Sequence, residues 1–350
     1  MISDTCLTRE YLETKRVELR CDQILLEKTI KALQLLELLI VNGANLTFKG
    51  GTSLILLLDR VQRLSIDIDI VVEPETDLST AFSKVISTGK FSNYEEDVRK
   101  TIFPVRHFKF YYDSVNPSQK NAYILIDALY EKPLHTELIQ TPIRSSVFYT
   151  ENPVTVVTTP SIDAILGDKL TAFAPNTTGI PYDAKKGMEI CKQLFDIATI
   201  FDYHKNTRTV RDTFMRIALV EAHYRGMESL TPEDILKDAF ATALLIGTRG
   251  KREPDHYREL DSGRSRLSSH ILGFNYKQTK FFSDAAKVAY LAACLLGETD
   301  ATFRWSGDEF FERIVDESFT FLNKLSAVSP EAFAYFSKSV EQIAKLSGIQ

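Results

Sequence analysis

The chain has 350 residues, 44% hydrophobic and 25% charged, the balance of a soluble globular protein long enough to bury a core without disulfides. Its formal net charge of −5 excludes a global positive field that would draw it to nucleic acid or a membrane surface. Cys6, Cys21, Cys191 and Cys294 form no C-x-x-C pair, which argues against a zinc site or a disulfide framework and fits a reducing, cytoplasmic setting.

The N-terminal stretch MISDTCLTREYLETKR is polar and lacks the apolar segment of a signal peptide, and apolar runs such as 55–58 are too short to span a bilayer. Leu25, Leu26, Ile30, Leu33, Leu36 and Leu39 recur at helical spacing, predicting one helix from residue 8 to about 42, stopped at Asn42-Gly43. A short segment, 46–49, leads to Gly50-Gly51, and residues 52–60 read as a helix capped by Thr52 or Ser53. Residues 64–72 alternate and are rich in Ile and Val, so they read as a strand. A helix over 78–88 and strands over 106–112, 123–130 and 154–157 follow.

Beyond Thr159 the pattern turns helical. Helices are expected over 161–173 and 186–203, flanking a Pro-, Thr- and Gly-rich loop at 175–182. Further helical patterns cover 208–225, 231–247, 266–272, 280–297, 308–325 and 330–347, with Thr231-Pro232-Glu233-Asp234 as a clear helix start. The expected fold is α+β: a mixed sheet with flanking helices in a domain spanning 1–205, then a C-terminal helical bundle over 206–350.

The chemistry is concentrated in Phe48-Lys49-Gly50-Gly51-Thr52-Ser53 and Arg63-Leu64-Ser65-Ile66-Asp67-Ile68-Asp69-Ile70. Two glycines between a strand and a helix let backbone approach a ligand, and the helix behind them offers N–H groups and a positive dipole end to phosphate. Asp67 and Asp69, two apart on a strand, project from one face, while Ile66, Ile68 and Ile70 face the other. Two adjacent carboxylates repel unless a cation lies between them, and magnesium (or manganese) with nucleotide phosphates suits the pair. Asp127, inside the apolar strand Ile124-Leu125-Ile126-Asp127-Ala128-Leu129, is the expected third carboxylate. Lys49, Gly50, Gly51, Thr52 and Ser53 are then the nucleotide-binding candidates, with Asp67, Asp69 and Asp127 as metal ligands.

The order G-G-[ST], then D-x-D on a strand, then a later strand aspartate resembles the DNA polymerase β type of nucleotidyltransferase fold. The fuller strings K-G-G-T-S-L and R-L-S-I-D-I-D-I resemble the AbiEii/AbiGii-type toxin nucleotidyltransferases, the effector halves of bacterial toxin–antitoxin and phage-defence systems. The resemblance covers about residues 40–205. It implies an NTP substrate, a companion antitoxin, and an RNA, tRNA or protein acceptor, with a small molecule also open. It further implies that Lys169, in Gly167-Asp168-Lys169-Leu170-Thr171-Ala172, contacts nucleotide phosphates. Asp196, in Phe195-Asp196-Ile197-Ala198, would assist the site.

Simpler roles stand beside these. Asp127 can pair with a buried arginine or cap a neighbouring group, Lys169 can be a snorkelling surface lysine, and Asp196 can be a helix surface position. The six histidines form no ligand spacing and read as structural or surface. The basic stretch Arg249-Gly250-Lys251-Arg252, continuing through Arg258, Arg264 and Arg266, can touch RNA phosphates. Interleaved Glu253, Asp255, Glu259 and Asp261 favour an exposed loop instead. The competing functions are a D-x-D glycosyltransferase using a nucleotide sugar and a catalytically inactive nucleotide-binding scaffold.

Overall fold

Period-two and period-3.6 patterns sort along the chain much as the composition shift at residue 160 suggests. The computed structural model describes residues 1–100, 103–182, 185–251 and 253–346. Chain contacts divide it into two units: Met1–Ser161 with Ser269–Phe274, and Ile162–Ser268 with Asn275–Gln350.

The first unit opens with α1 (Arg9–Leu19) and α2 (Gln23–Val41). One helix was expected here. Arg20 instead takes a left-handed conformation, and Asp22 caps α2 by accepting from the Leu25 N–H at 2.8 Å. A local side-chain cap thus restarts the helix where the apolar periodicity begins. Gly43, at φ +92°, turns the chain beyond α2.

Seven strands then form one mixed sheet: β1 (Thr47–Lys49), β2 (Ile68–Val72), β3 (Asn93–Glu96), β4 (Val105–Tyr112), β5 (Ala122–Tyr130), β6 (Leu138–Pro142) and β7 (Val156–Pro160). Their spatial order is β3-β4-β5-β2-β1-β7-β6. β2 runs parallel to β5 and β1 parallel to β7; the remaining neighbours are antiparallel. β3 and β6 were not expected from the sequence. They are the two edge strands, where one ladder suffices and the alternation is weak. α3 (Gly50–Leu57) leads out of β1, and α4 (Ser79–Ser87) packs with α2. Ile68, Ile70 and Val72 of β2, Ile124, Ile126 and Ala128 of β5, and Phe108, Phe110 and Tyr112 of β4 are buried in one core.

The strand expected over 64–72 is laddered only from Ile68. Upstream, Leu64 N–H donates to the His270 carbonyl at 3.0 Å and Leu272 N–H to the Gln62 carbonyl at 2.9 Å. Residues 269–274 thereby satisfy the backbone just before the D-x-D segment, with an isolated bridge between Arg63 and Ile271.

In the second unit, α5 (Ile162–Ala172), α6 (Gly187–Phe201), α7 (Thr207–Tyr224), α8 (Pro232–Gly247), α9 (Pro254–Leu267), α10 (Gln278–Leu296), α11 (Leu325–Val328) and α12 (Pro330–Leu346) pack together. α10 is buried nearly all round and sits against α6, α8 and α12, and its buried Asp284 and Lys287 are held in ion pairs with Lys280 and Asp202. α8 carries the expected start, a capping box in which Thr231 and Asp234 satisfy each other's backbone N–H.

Two helical expectations fail here. The helix predicted at 266–272 lies instead at α9, where Arg264 pairs with Asp261 one turn away and the charges hide the pattern. Residues 308–319 are irregular, and only a short 3-10 turn (Thr320–Lys324) and α11 follow. The Asn323 amide holds both the N–H and the carbonyl of Ile314, each at 2.8 Å, so an outside side chain replaces helical bonding. Residue 347 of the last expected helix lies outside the described residues.

Candidate functional site

The sheet register decides which residues of the two motifs meet. Lys49 on β1 pairs with Asp69 on β2, Asp69 pairs with Asp127 on β5, and Asp127 pairs with His107 on β4. Directly paired residues on neighbouring strands share a face, so these four form a row across the sheet. Their neighbours on the opposite face, Ile68 and Ile126, are fully buried, which fixes the row against a one-residue slip. Asp67 precedes β2 and is exposed, while Asp69 and Asp127 are half-buried.

The glycine motif is fastened to the same carboxylates. Gly50 has φ +75°, and a Cβ built on it would lie 1.9 Å from Asp69 Oδ2. Gly50 is therefore required twice: by the left-handed backbone and by the Asp69 carboxylate in the space a side chain would fill. Thr52 Oγ1 donates to the Asp67 carbonyl at 2.5 Å, tying the first turn of α3 to the D-x-D strand. Ser53 Oγ donates to the Gly50 carbonyl at 2.8 Å. Thr52 and Ser53 are both fully buried, so their hydroxyls shape the turn. Gly50, the first residue of α3, lies beside the Asp69 carboxylate, and the first-turn N–H groups of a helix lack intrahelical acceptors.

Among the described residues, Asp127 pairs with no buried arginine. His107 Nδ1 lies 2.6 Å from Asp127 Oδ1, the imidazole being 12% and the carboxylate 29% exposed. Sequence reasoning passed over His107. Its outward position in the alternating strand His107-Phe108-Lys109-Phe110 is visible, but its partner is set by β4–β5 pairing.

The donor set is all oxygen, which fits a hard divalent cation such as magnesium or manganese and disfavours zinc. Among the described residues, no group of three or more His, Cys, Asp or Glu side chains is arranged to hold an ion by itself. A cation at this row would thus need phosphate oxygens to complete its shell, the usual situation for magnesium in nucleotide sites.

The second unit holds the other two candidates. Lys169 on α5 and Asp196 on α6 form an ion pair at 2.8 Å, and Lys169 Nζ also donates to Gln193 Oε1 at 3.1 Å. Lys169 is 7% exposed and Asp196 1%. Neither is a surface residue. Two charges removed this far from water are stabilised by neutralising each other.

A family model described as "Nucleotidyl transferase AbiEii toxin, Type IV TA system" matches residues 38–265, about two thirds of the chain. The matched span contains Lys49, Gly50, Asp67, Asp69, Asp127, Lys169 and Asp196. No curated protein matches the chain.

Proposed function

The chain belongs to the AbiEii nucleotidyl transferase toxin family of type IV toxin–antitoxin systems, and on that premise we propose that it moves a nucleoside monophosphate from an NTP to an acceptor hydroxyl. Membership of a nucleotidyl transferase family favours nucleotidyl transfer over the glycosyltransferase and the inactive scaffold. The observation that carries the reading is the contact between Gly50 and the Asp69 carboxylate, because it joins a phosphate cradle to an acidic row.

The triphosphate lies over Gly50 and Gly51, with the first-turn N–H groups of α3 toward its oxygens. Asp67, Asp69 and Asp127 would hold magnesium or manganese, which when bound neutralises charge on the phosphates. Lys49, beside Asp69 in register, adds positive charge on the nucleotide's side. The acceptor hydroxyl is oriented near Asp127, whose rotamer His107 fixes. The acceptor oxygen bonds the α-phosphorus, the bond to pyrophosphate breaks, and the hydroxyl proton is lost to solvent. Lys169 is the cation of the machinery on the family likeness, held in place by Asp196. We assign this machinery to a domain spanning 1–205 and a bundle to 206–350. The acceptor is RNA, tRNA or protein, the setting cytoplasmic, and the companion an antitoxin. No described helix is long and apolar enough to cross a membrane.

The test is release of pyrophosphate from each of the four NTPs with magnesium or manganese, in the presence of a total RNA pool or of cell protein. Asp67→Asn and Asp69→Asn should each abolish it while the protein keeps its melting temperature. Full turnover by either variant would remove the acidic row from the reaction.

A further inference from the structure

The sequence's basic stretch from Arg249 onward separates, in the fold, into two populations. On α9, Arg258 pairs with Asp255 and Arg264 with Asp261, so the interleaved acids neutralise those arginines. Arg249 and Lys251 have no such partner among the described residues. They line a cavity of about 960 Å³ with Thr248, Glu317, Thr320, Phe321 and Lys324 among its walls. Lys324, distant in sequence, likewise forms no ion pair among the described residues. Arg252 lies outside the described residues.

Arg249 is held in place. Its backbone is left-handed at φ 54°, and the next residue, Gly250, is left-handed at φ 67°. A Cβ at Gly250 would lie 2.3 Å from Tyr257 Cβ, so the turn is closed by that side chain. The Arg249 guanidinium lies over the Phe282 ring at 5.2 Å. The cavity thus gathers three cations against one carboxylate, Glu317, in a protein of net charge −5. Like charges brought together without counter-charges repel, and an anion in the cavity relieves that repulsion. The volume exceeds what one phosphate fills, and the half-buried Phe321 offers an aromatic face to a base.

We propose that this cavity binds a nucleoside phosphate, its phosphate among Arg249, Lys251 and Lys324 and its base against Phe321. The source is a free nucleotide or one unit of a single-stranded RNA. The proposal is independent of the acidic row of the first unit, and binding measured in EDTA keeps the two apart.

The experiment titrates the full chain, in EDTA, into a fluorescently labelled ATP and, separately, into a labelled single-stranded RNA oligonucleotide. Lys251→Ala/Lys324→Ala should weaken binding about tenfold or more at low salt. For RNA, the slope of log affinity against log salt should fall by about 1.4, about 0.7 for each lost phosphate contact. Lys237→Ala/Arg258→Ala removes the same charge outside the cavity and should leave binding unchanged. Loss confined to RNA identifies a strand as the source, and loss confined to ATP identifies a free nucleotide. No binding by the unaltered protein in EDTA, or equal loss in both double variants, would overturn the proposal.

Discussion

Gly50→Ala separates the chemistry of the acidic row from the stability of the fold. Two costs arise at this position. An alanine at φ +75° is strained by about 1–2 kcal/mol. Its methyl would also lie 1.9 Å from Asp69 Oδ2 and 2.7 Å from Cγ. An ordinary contact is about 3.4 Å, so the carboxylate must retreat by about 1.5 Å. A catalytic group misplaced by about 1 Å loses about a hundredfold in rate, so Gly50→Ala should lose at least that in pyrophosphate release. Gly43 supplies the control. It also has positive φ, +92°, but a Cβ there meets nothing within 4 Å. Gly43→Ala should therefore lose about 1–2 kcal/mol of stability in urea melts and keep its rate. Activity of Gly50→Ala within a few-fold of the unaltered protein, at a similar loss of stability, would refute the placement of Asp69 in the reaction. An equal loss of activity in Gly43→Ala would refute the separation of the two costs.

Lys169→Met should destabilise the second unit by about 3–5 kcal/mol in urea, because it removes the ammonium 2.8 Å from the buried Asp196 carboxylate; Lys169→Met/Asp196→Leu should recover most of that stability but not pyrophosphate release. A double variant that regains activity would make the pair purely structural. Stability should also fall as pH drops. Burial, opposed in part by a hydrogen bond to the Phe201 carbonyl and aided by the Arg304 guanidinium 2.8 Å from Nδ1, holds the His204 pKa below its ordinary 6.5. Between the two values the unfolded chain binds the extra proton, so stability is complete above about 6.5 and declines as pH falls through that window. His204→Gln should flatten the decline in melts taken across that range, and an unchanged pH slope would contradict it.

Much of the site was legible because its determinants are local. Gly-Gly between a strand and a helix, and an aspartate between buried isoleucines, carry their geometry in their own spacing; the fold returned the glycines at that junction and Asp69 on β2 between Ile68 and Ile70, but left Asp67 just ahead of the strand. The α/β-to-helical change after residue 160 was legible for the same reason, since hydrophobic period follows secondary structure. The break between α1 and α2 was not, because the left-handed turn at Arg20 competes with a periodicity that belongs to α2 alone.

What only tertiary structure decided were the partners of polar groups, because pairing depends on which strands and helices become neighbours. Nothing within twenty residues of Asp127 marks His107 as its contact; the β4–β5 register does. The burial of Lys169 against Asp196 follows from α5 packing on α6, and overrides the surface preference of each side chain taken alone. Residues 308–319 keep a helical pattern yet stay irregular, since Asn323 takes the backbone bonds at Ile314. In the basic stretch the sequence supplied the charges, but only the fold distinguished the arginines that have carboxylate partners from the cations that line a cavity with Lys324. Spacing along the chain sets which face a side chain occupies, whereas the group it meets there is brought from elsewhere in the sequence by packing.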